Sequence, residues 1–487
     1  MIIDSKGMKE IESASGFTPY ELMEKAGALI AEEIRKESTE DTSILFLAGK
    51  GNNGGDAFVA CRLLNDRKCR VICIDGEPKS EEAKKAYSLL PDSRIGKVSR
   101  IRSAVKSADL IVDGVYGFSY HGELKPDIRK ILETVSSSGA KIISIDINSG
   151  AEADTGFADK GAVISDITLA LDCYKPFHLM KKEHRLFREC RLLSLGIPHP
   201  DKSRFCEMDE ELFFRSFPKK QENAYKGTYG KTLLIGGSWG TAGALSLNII
   251  GAKTTGASYI EVGLPESIYP IVASQHITPV FHPFGHETMS YVIEPLLKNA
   301  KSVAFGSGAV YFDKKEDCLD LILQESRCPV VLDAEALRLL VHNTYLLRFV
   351  KIPVIITPHI GEFAALINQP QEAVLDRKLE YAETFAREYN VTVVLKGPNT
   401  IVVSPAGEVY INQTGNPALA QAGSGDLLAG IMAGILSQTR DIFTAVCMAV
   451  WLHGKIADIG LKNHSVRNFP LEEYPAVMDA LFRKHGF

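Results

Sequence analysis

The chain contains no CxxC pair and no cysteine–histidine spacing of the zinc type; its nine cysteines are scattered over 487 residues. That pattern excludes a disulfide framework and predicts reduced thiols in a cytoplasmic protein. It also contains no apolar run approaching the roughly 20 residues that span a bilayer, and Met1-Ile2-Ile3-Asp4 does not open a secretory leader, so no membrane association is expected. Charge of one sign is in small excess only. A formal net charge of −5 disfavours nonspecific binding to nucleic acid. The dinucleotide fingerprint GxGxxG is missing as well.

What is there is ordinary globular material, 45% hydrophobic and 24% charged. The length exceeds what one core holds, so two or three domains are expected. Thr18-Pro19-Tyr20-Glu21 combines an N-cap, a proline at the first helical position and a capping-box glutamate, followed by apolar residues at helical spacing to Ile34. Ile44–Ala48 then predicts a buried strand running into Gly49-Lys50-Gly51-Asn52-Asn53-Gly54-Gly55-Asp56, with a helix from Ala57 to Leu64. Strand, glycine loop and helix make a phosphate cradle, and the two asparagines and the aspartate suggest a further polar ligand. A tight turn needing left-handed residues is the simpler alternative.

Further β-branched strands are expected at Arg70–Asp75, Leu110–Asp113 and Lys141–Asp146, alternating with helices. This is the pattern of a parallel, doubly wound α/β sheet, whose ligands bind beyond the carboxyl ends of the strands. Asn53, Asp113, Asp146 and Ser149 fall at those ends and could hold a hard cation through oxygen. A polar, proline-containing stretch from Pro198 to Ser203 places a boundary near residue 205, giving domains 1–205 and 206–487. The second domain repeats the strand–helix alternation from Thr232 to Lys396 and adds a β-meander near residues 391–413.

That domain ends in Ala422-Gly423-Ser424-Gly425-Asp426, followed by the apolar run Leu427–Leu436. Two glycines before a helix start make an anion hole suited to phosphate. A carboxylate there, Asp426, is placed to take a proton from a hydroxyl that attacks a phosphoryl group; a plain N-cap is the alternative. His359, after a strand-end proline, reads on its own as a satisfied loop histidine, with a ligand contact as the alternative.

The motifs GNNGGDAFVACRLL, VDGVYGF and DINSGAEADTG resemble the N-terminal, Rossmann-like epimerase domain of the bifunctional NAD(P)H-hydrate repair enzymes. Lys175-Pro176 and Leu195-Gly196-Ile197-Pro198 fit that domain's end. The motifs YKGTYGKTLLIGGS, TPHIGEFAAL, LKGPNTIVV and GNPALAQAGSGDLLAGIMAGIL resemble the ribokinase-like dehydratase domain of the same family. The resemblance implies three-layer α/β domains that interconvert the R and S hydrates and then dehydrate the S form at the expense of ADP or ATP with magnesium.

By position, it implies substrate contacts from Asn52, Asn53, Gly54, Gly55, Asp56, from Gly117, Phe118, Ser119, Tyr120, His121, Gly122, Glu123, and from Asp146. Asp146 is the expected proton-transfer group, and Asn53, Asp113 and Ser149 would surround potassium. Ala244, Gly308, His359 and Asp426 would line the dehydratase site, with Asp426 catalytic; Lys396, Gly397, Pro398, Asn399, Thr400 and Gly425 would hold the nucleotide.

The chain departs from the family at Asn148, where DIPSG is usual, at Tyr116–Tyr120, where an FGTGL-like loop is usual, and at Val310, usually glycine. Small-molecule substrates and a homo-oligomer are expected. The alternative is a ribokinase-superfamily small-molecule kinase with a non-catalytic N-terminal binding domain.

Overall fold

Short, nearly all-apolar segments become the strands of two sheets in the computed structural model, which describes every residue except 181–185, 201, 224–227 and 229. The first sheet contains β1 (Ser43–Ala48), β2 (Lys68–Cys73), β3 (Leu110–Gly114), β4 (Lys141–Ile145), β5 (Ser165–Leu171) and β6 (Phe187–Leu193). It is parallel throughout, in the order β2-β1-β3-β4-β5-β6. Apolar clusters cover both faces, one centred on Phe46, Phe58 and Ile30, the other on Leu47, Ile111 and Leu132. β5 and β6 escape the sequence reading, because Ser165-Asp166 and the alternating charges of Phe187-Arg188-Glu189-Cys190-Arg191 interrupt the apolar pattern.

The second sheet begins with a two-residue strand, β7 (Phe205–Cys206), where the chain passes from one unit to the next. It continues with β8 (Thr232–Ile235), β9 (Ile260–Pro265), β10 (Val280–Phe284), β11 (Ser302–Phe305), β12 (Val330–Leu332), β13 (Val354–Ile356), β14 (Thr392–Leu395), β15 (Ile401–Val403) and β16 (Val409–Ile411). The order is β10-β9-β8-β11-β12-β13-β14-β15-β16-β7. The strands are parallel up to β14, and β14, β15 and β16 form the expected antiparallel meander. The chain divides into two units, Met1–Phe205 and Cys206–Phe487. No disulfide joins the nine cysteines.

Two helix starts differ from the sequence reading. The predicted glycine loop is itself the first turn of a helix, Asn52–Leu63. Gly54 permits this, since a Cβ there would lie 2.1 Å from the Gly49 carbonyl. The helix after β16 begins at Ser424, not Leu427, with Gly423 at its N-cap in the left-handed region (φ 92°). The helix Ile442–Gly460 is 19 residues long, with a mean hydropathy of 1.4, and by length and composition alone it could cross a membrane. His453, Lys455 and Asp458 break its apolar run in the sequence. Two thirds of it (67%) is buried within the second unit, where Val446, Ala449 and Leu452 join the core.

Candidate functional site

In the first unit the strand order reverses between β1 and β3, so the loops that follow them part and open a crevice. A cavity of about 860 Å³ lies there, within the range that holds a small ligand. Its floor is Asp146, Lys175 and Leu171 from the ends of β4 and β5; its walls are Lys50–Asn53 and Asp56, Val115–His121, and Met8, Glu12, Phe17 and Met23. The Asn52–Leu63 helix starts at this cavity with Gly51 as N-cap and no side chain capping it, so its positive end faces the ligand space.

Of the predicted contacts, Asn52, Asn53, Asp56, Gly117, Phe118, Ser119, Tyr120, His121 and Asp146 line this cavity. Gly54 and Gly55 do not; they let the helix pack on Gly49 and Met23. Gly122 and Glu123 also lie off it, bonded to Glu152 and Arg129.

Asp146 adopts a left-handed backbone (φ 61°) that turns its carboxylate into the cavity floor. There it accepts hydrogen bonds from the Phe118 and Leu171 amides and from Lys175 Nζ at 2.6 Å. Lys175 is only 1% exposed and also donates to the Leu171 carbonyl. His178 braces both residues. Its Nδ1 accepts from the Lys175 amide, so its Nε2 carries the proton that bonds the Asp146 carbonyl. Burial, then the Lys175 charge, pushes His178 down to about 4, which keeps it neutral. Burial, then the Asp146 and Glu12 charges, raises Asp56 well above the usual carboxylate range. Sequence reading did not find Lys175 as a site residue. The Lys175-Pro176 pair enters that reading only as a match to the end of the family's domain.

Asp113 is wholly buried. It accepts from Ser149 Oγ (2.5 Å), Ser144 Oγ (3.0 Å) and the amides of Ser149 and Val115. Burial raises its pKa against these bonds. Asn53 Nδ2 bonds the Ile145 carbonyl, which turns the side chain toward the same strand ends. The groups named here that hold the buried Asp113 carboxylate are all neutral, and the side chains of Asn53, Asp113 and Ser149 each carry an oxygen. This chemistry fits a weakly hydrated monovalent cation bound by Asn53, Asp113 and Ser149. Asn148, the departure from the usual proline, bonds the Val163 and Leu186 carbonyls and accepts from Thr168, tying β4 to its neighbours.

In the second unit the parting lies between β8 and β11. Gly308 (φ 67°) packs against Ala244, and its carbonyl accepts from Ser238 and Thr241. Lys396 donates to Asp333 Oδ1 at 2.8 Å, and Thr357 donates to the same atom. Lys396 Nζ lies 3.2 Å from where a Cβ on Gly425 would be. Glycine therefore brings the start of the Ser424–Leu436 helix, which no side chain caps, against a partly buried ammonium, and the two together could hold an anion.

Asp426 is the third residue of that helix and makes no cap, so the N-cap alternative does not hold. Burial, then the Asp333 charge, pushes its pKa up to about 6, against a hydrogen bond from Ser307 and the Lys396 charge. Asn248 fixes the site by donating to the Asp426 carbonyl and to Ser307 Oγ. Its helix packs closely because Gly430 sits on the Asn248 carbonyl.

His359 is an N-cap whose Nδ1 accepts from Gly361 and Glu362, with its side chain 61% exposed. Asn399 and Thr400 are buried in the β14–β15 turn, whereas Gly397 and Pro398 are exposed. The Tyr225–Gly227 and Tyr229 parts of the YKGTYG motif lie outside the described residues.

A cavity at the switch point of the first doubly wound sheet, and a helix start beside Lys396 and Asp426 in the second unit, place the chain in the α/β class. The comparisons narrow this. Residues 232–474 match the NAD(P)H-hydrate dehydratase family, and residues 19–177 match the YjeF-related protein N-terminus. The chain is 28% identical to the bifunctional NAD(P)H-hydrate repair enzyme Nnr of Moorella thermoacetica, over 92% of this chain and 89% of that one. It is 29% identical to the Nnr of Escherichia coli, over 93% and 88%. The crystal structure of ADP/ATP-dependent NAD(P)H-hydrate dehydratase from Bacillus subtilis, co-crystallised with ATP and magnesium, superposes with a TM-score of 0.52 and 30% identity, over 57% of this chain and 97% of that one. The chain belongs to the bifunctional NAD(P)H-hydrate repair enzyme family.

Proposed function

We propose that the chain repairs hydrated NADH and NADPH in two steps, the first unit interconverting the R and S hydrates and the second dehydrating the S form. The observation that carries this is the pairing, in one chain, of a cavity floored by Asp146 and Lys175 with an anion hole beside Asp426.

In the first unit, inversion requires a bond at the hydroxyl-bearing carbon to break and re-form, with a proton removed and returned. A carboxylate and an ammonium 2.6 Å apart can do both. The Asn52–Leu63 helix start and Lys50 hold the pyrophosphate. Asn53, Asp113 and Ser149 are the residues that would hold potassium, whose charge would balance that of the buried Asp113 carboxylate.

In the second unit, Asp426 takes the proton of the substrate hydroxyl, whose oxygen attacks the terminal phosphoryl group of ADP or ATP and expels AMP or ADP. Magnesium arrives with the nucleotide and offsets phosphate charge. The Ser424–Leu436 helix start and Lys396 hold the charge that develops on the transferring group. Phosphate then leaves by elimination, with a proton lost from the neighbouring ring carbon, and the dihydropyridine ring is restored. Gly397, Pro398 and Gly425 offer the nucleotide an open backbone path, with Asn399 and Thr400 holding the turn from inside.

The test separates the units. Asp113→Ala in the full chain should abolish potassium-dependent R-to-S conversion and leave dehydration of pure S hydrate within a few-fold of the parent. Equal loss of both activities with a normal fold would contradict the division of labour, and epimerisation that is indifferent to replacing potassium by sodium would contradict the cation site.

A further inference from the structure

Asp172 and Cys173, at the end of β5, meet His199 from the segment beyond β6. Neither carboxylate nor thiol has a part in the repair chemistry above. Asp172 and Cys173 are buried and His199 is exposed, so the cluster opens to solvent on one side. His199 Nε2 lies 2.6 Å from Asp172 Oδ2 and 3.5 Å from Cys173 Sγ, and Sγ lies 3.7 Å from the same carboxylate oxygen. The other oxygen, Asp172 Oδ1, is held by the Leu195 amide, which fixes the direction of Oδ2.

One role for Cys, His and Asp together is an activated thiol. That role needs the two imidazole nitrogens to face different partners, one the thiol and one the carboxylate. Here a single nitrogen, Nε2, faces both, so no relay exists. Three lone-pair donors converging on one point is instead what a metal ion requires. A tetrahedral zinc-type ion places sulfur and nitrogen ligands about 3.6 Å apart and nitrogen and oxygen ligands about 3.4 Å apart, from ordinary bond lengths. The two edges involving sulfur already match. The nitrogen–oxygen edge needs only to open from its hydrogen-bonded length, on the side where His199 is exposed.

We infer that Asp172, Cys173 and His199 form a binding site for a divalent transition-metal ion of the zinc type, with solvent at the fourth position. A thiolate and a carboxylate cancel the ion's two charges, which lowers the cost of holding it in a largely buried place. Mixed sulfur, nitrogen and oxygen donors favour zinc or cobalt over magnesium, calcium or potassium. The sequence hides the site because two ligands are adjacent and the third is 26 residues away, unlike any zinc spacing. The inference rests on the geometry of the first unit and is independent of the repair reaction.

The experiment uses the full chain, reduced and stripped of metal with a chelator, then titrated with cobalt(II). The expected result is one cobalt ion per chain, a thiolate-to-cobalt charge-transfer band with four-coordinate ligand-field absorption, and displacement by zinc. Cys173→Ser should remove the band, and His199→Gln should weaken cobalt binding by at least about tenfold. No thiolate band in the parent, or an undiminished one in Cys173→Ser, overturns the assignment. If Cys173→Ser does not fold, His199→Gln decides, because its side chain is at the surface: unchanged cobalt affinity in that variant overturns the assignment too.

Discussion

Asp426→Asn is expected to lower turnover of the S hydrate by at least ~100-fold, the lower end of what a general base contributes. The amide is nearly isosteric and Gly423, not the Asp426 side chain, sits at the N-cap, so the helix start should persist. Asn248 bonds the Asp426 carbonyl and not the carboxylate, so the packing beneath is untouched. Nucleotide affinity should hold or rise slightly, because a negative charge beside the phosphates is gone. Epimerisation should be unchanged.

The pH profile gives an independent reading. A base pushed up to about 6 must lose its proton to work, so dehydratase turnover of the parent should fall as pH drops through about 6 and be flat above it. That acidic limb should be missing from the residual activity of Asp426→Asn. Parent-like turnover in the variant would reduce Asp426 to a structural residue.

Asp146→Asn should produce the other large effect, in activity and in stability together. Lys175 is 1% exposed, and its carboxylate partner sits 2.6 Å away. Removing that partner strands a buried ammonium, which typically costs about 3–5 kcal/mol. A loss of that size is a large fraction of the stability of one domain. Removing the second charge as well, in Asp146→Asn with Lys175→Met, should recover most of the stability, because no isolated charge remains. Epimerisation should not return in the double variant, since neither proton-handling group is left. Recovery of epimerisation along with stability would show that the pair is structural only. Dehydration of pure S hydrate should survive in every variant that folds.

Much of this arrangement could be read in the sequence because it rests on local signals. Thr18-Pro19 and Glu21 give a true capping box, and the β-branched runs at Ile44, Leu110 and Lys141 are strands. The meander after Thr392 and the glycines before Asp426 are likewise local.

What escaped is set by distant partners. Lys175 acquires its role from Asp146, 29 residues back, and the pairing of Lys396, itself expected at the nucleotide, with Asp333 spans 63 residues. The left-handed turn at Asp146 carries no glycine to mark it. The first turn at Asn52 reads as loop because its glycines are poor helix formers; Gly54 is tolerated there for its close approach to Gly49. Asn148 looks like a lost proline and is instead a fully bonded hub beneath the cavity.

The most direct test of the two-unit account is the yield from an equal mixture of R and S hydrates. The parent protein is incubated with the mixture, potassium, magnesium and ADP or ATP, and the absorbance of the reduced nicotinamide is followed to completion. A fast phase from the S form followed by a slower phase to full recovery is the predicted result, with Asp146→Asn or its double variant stopping after the fast phase and Asp426→Asn slowing recovery by at least ~100-fold. Recovery that halts at the S fraction in the parent, or that proceeds without nucleotide, would contradict the account.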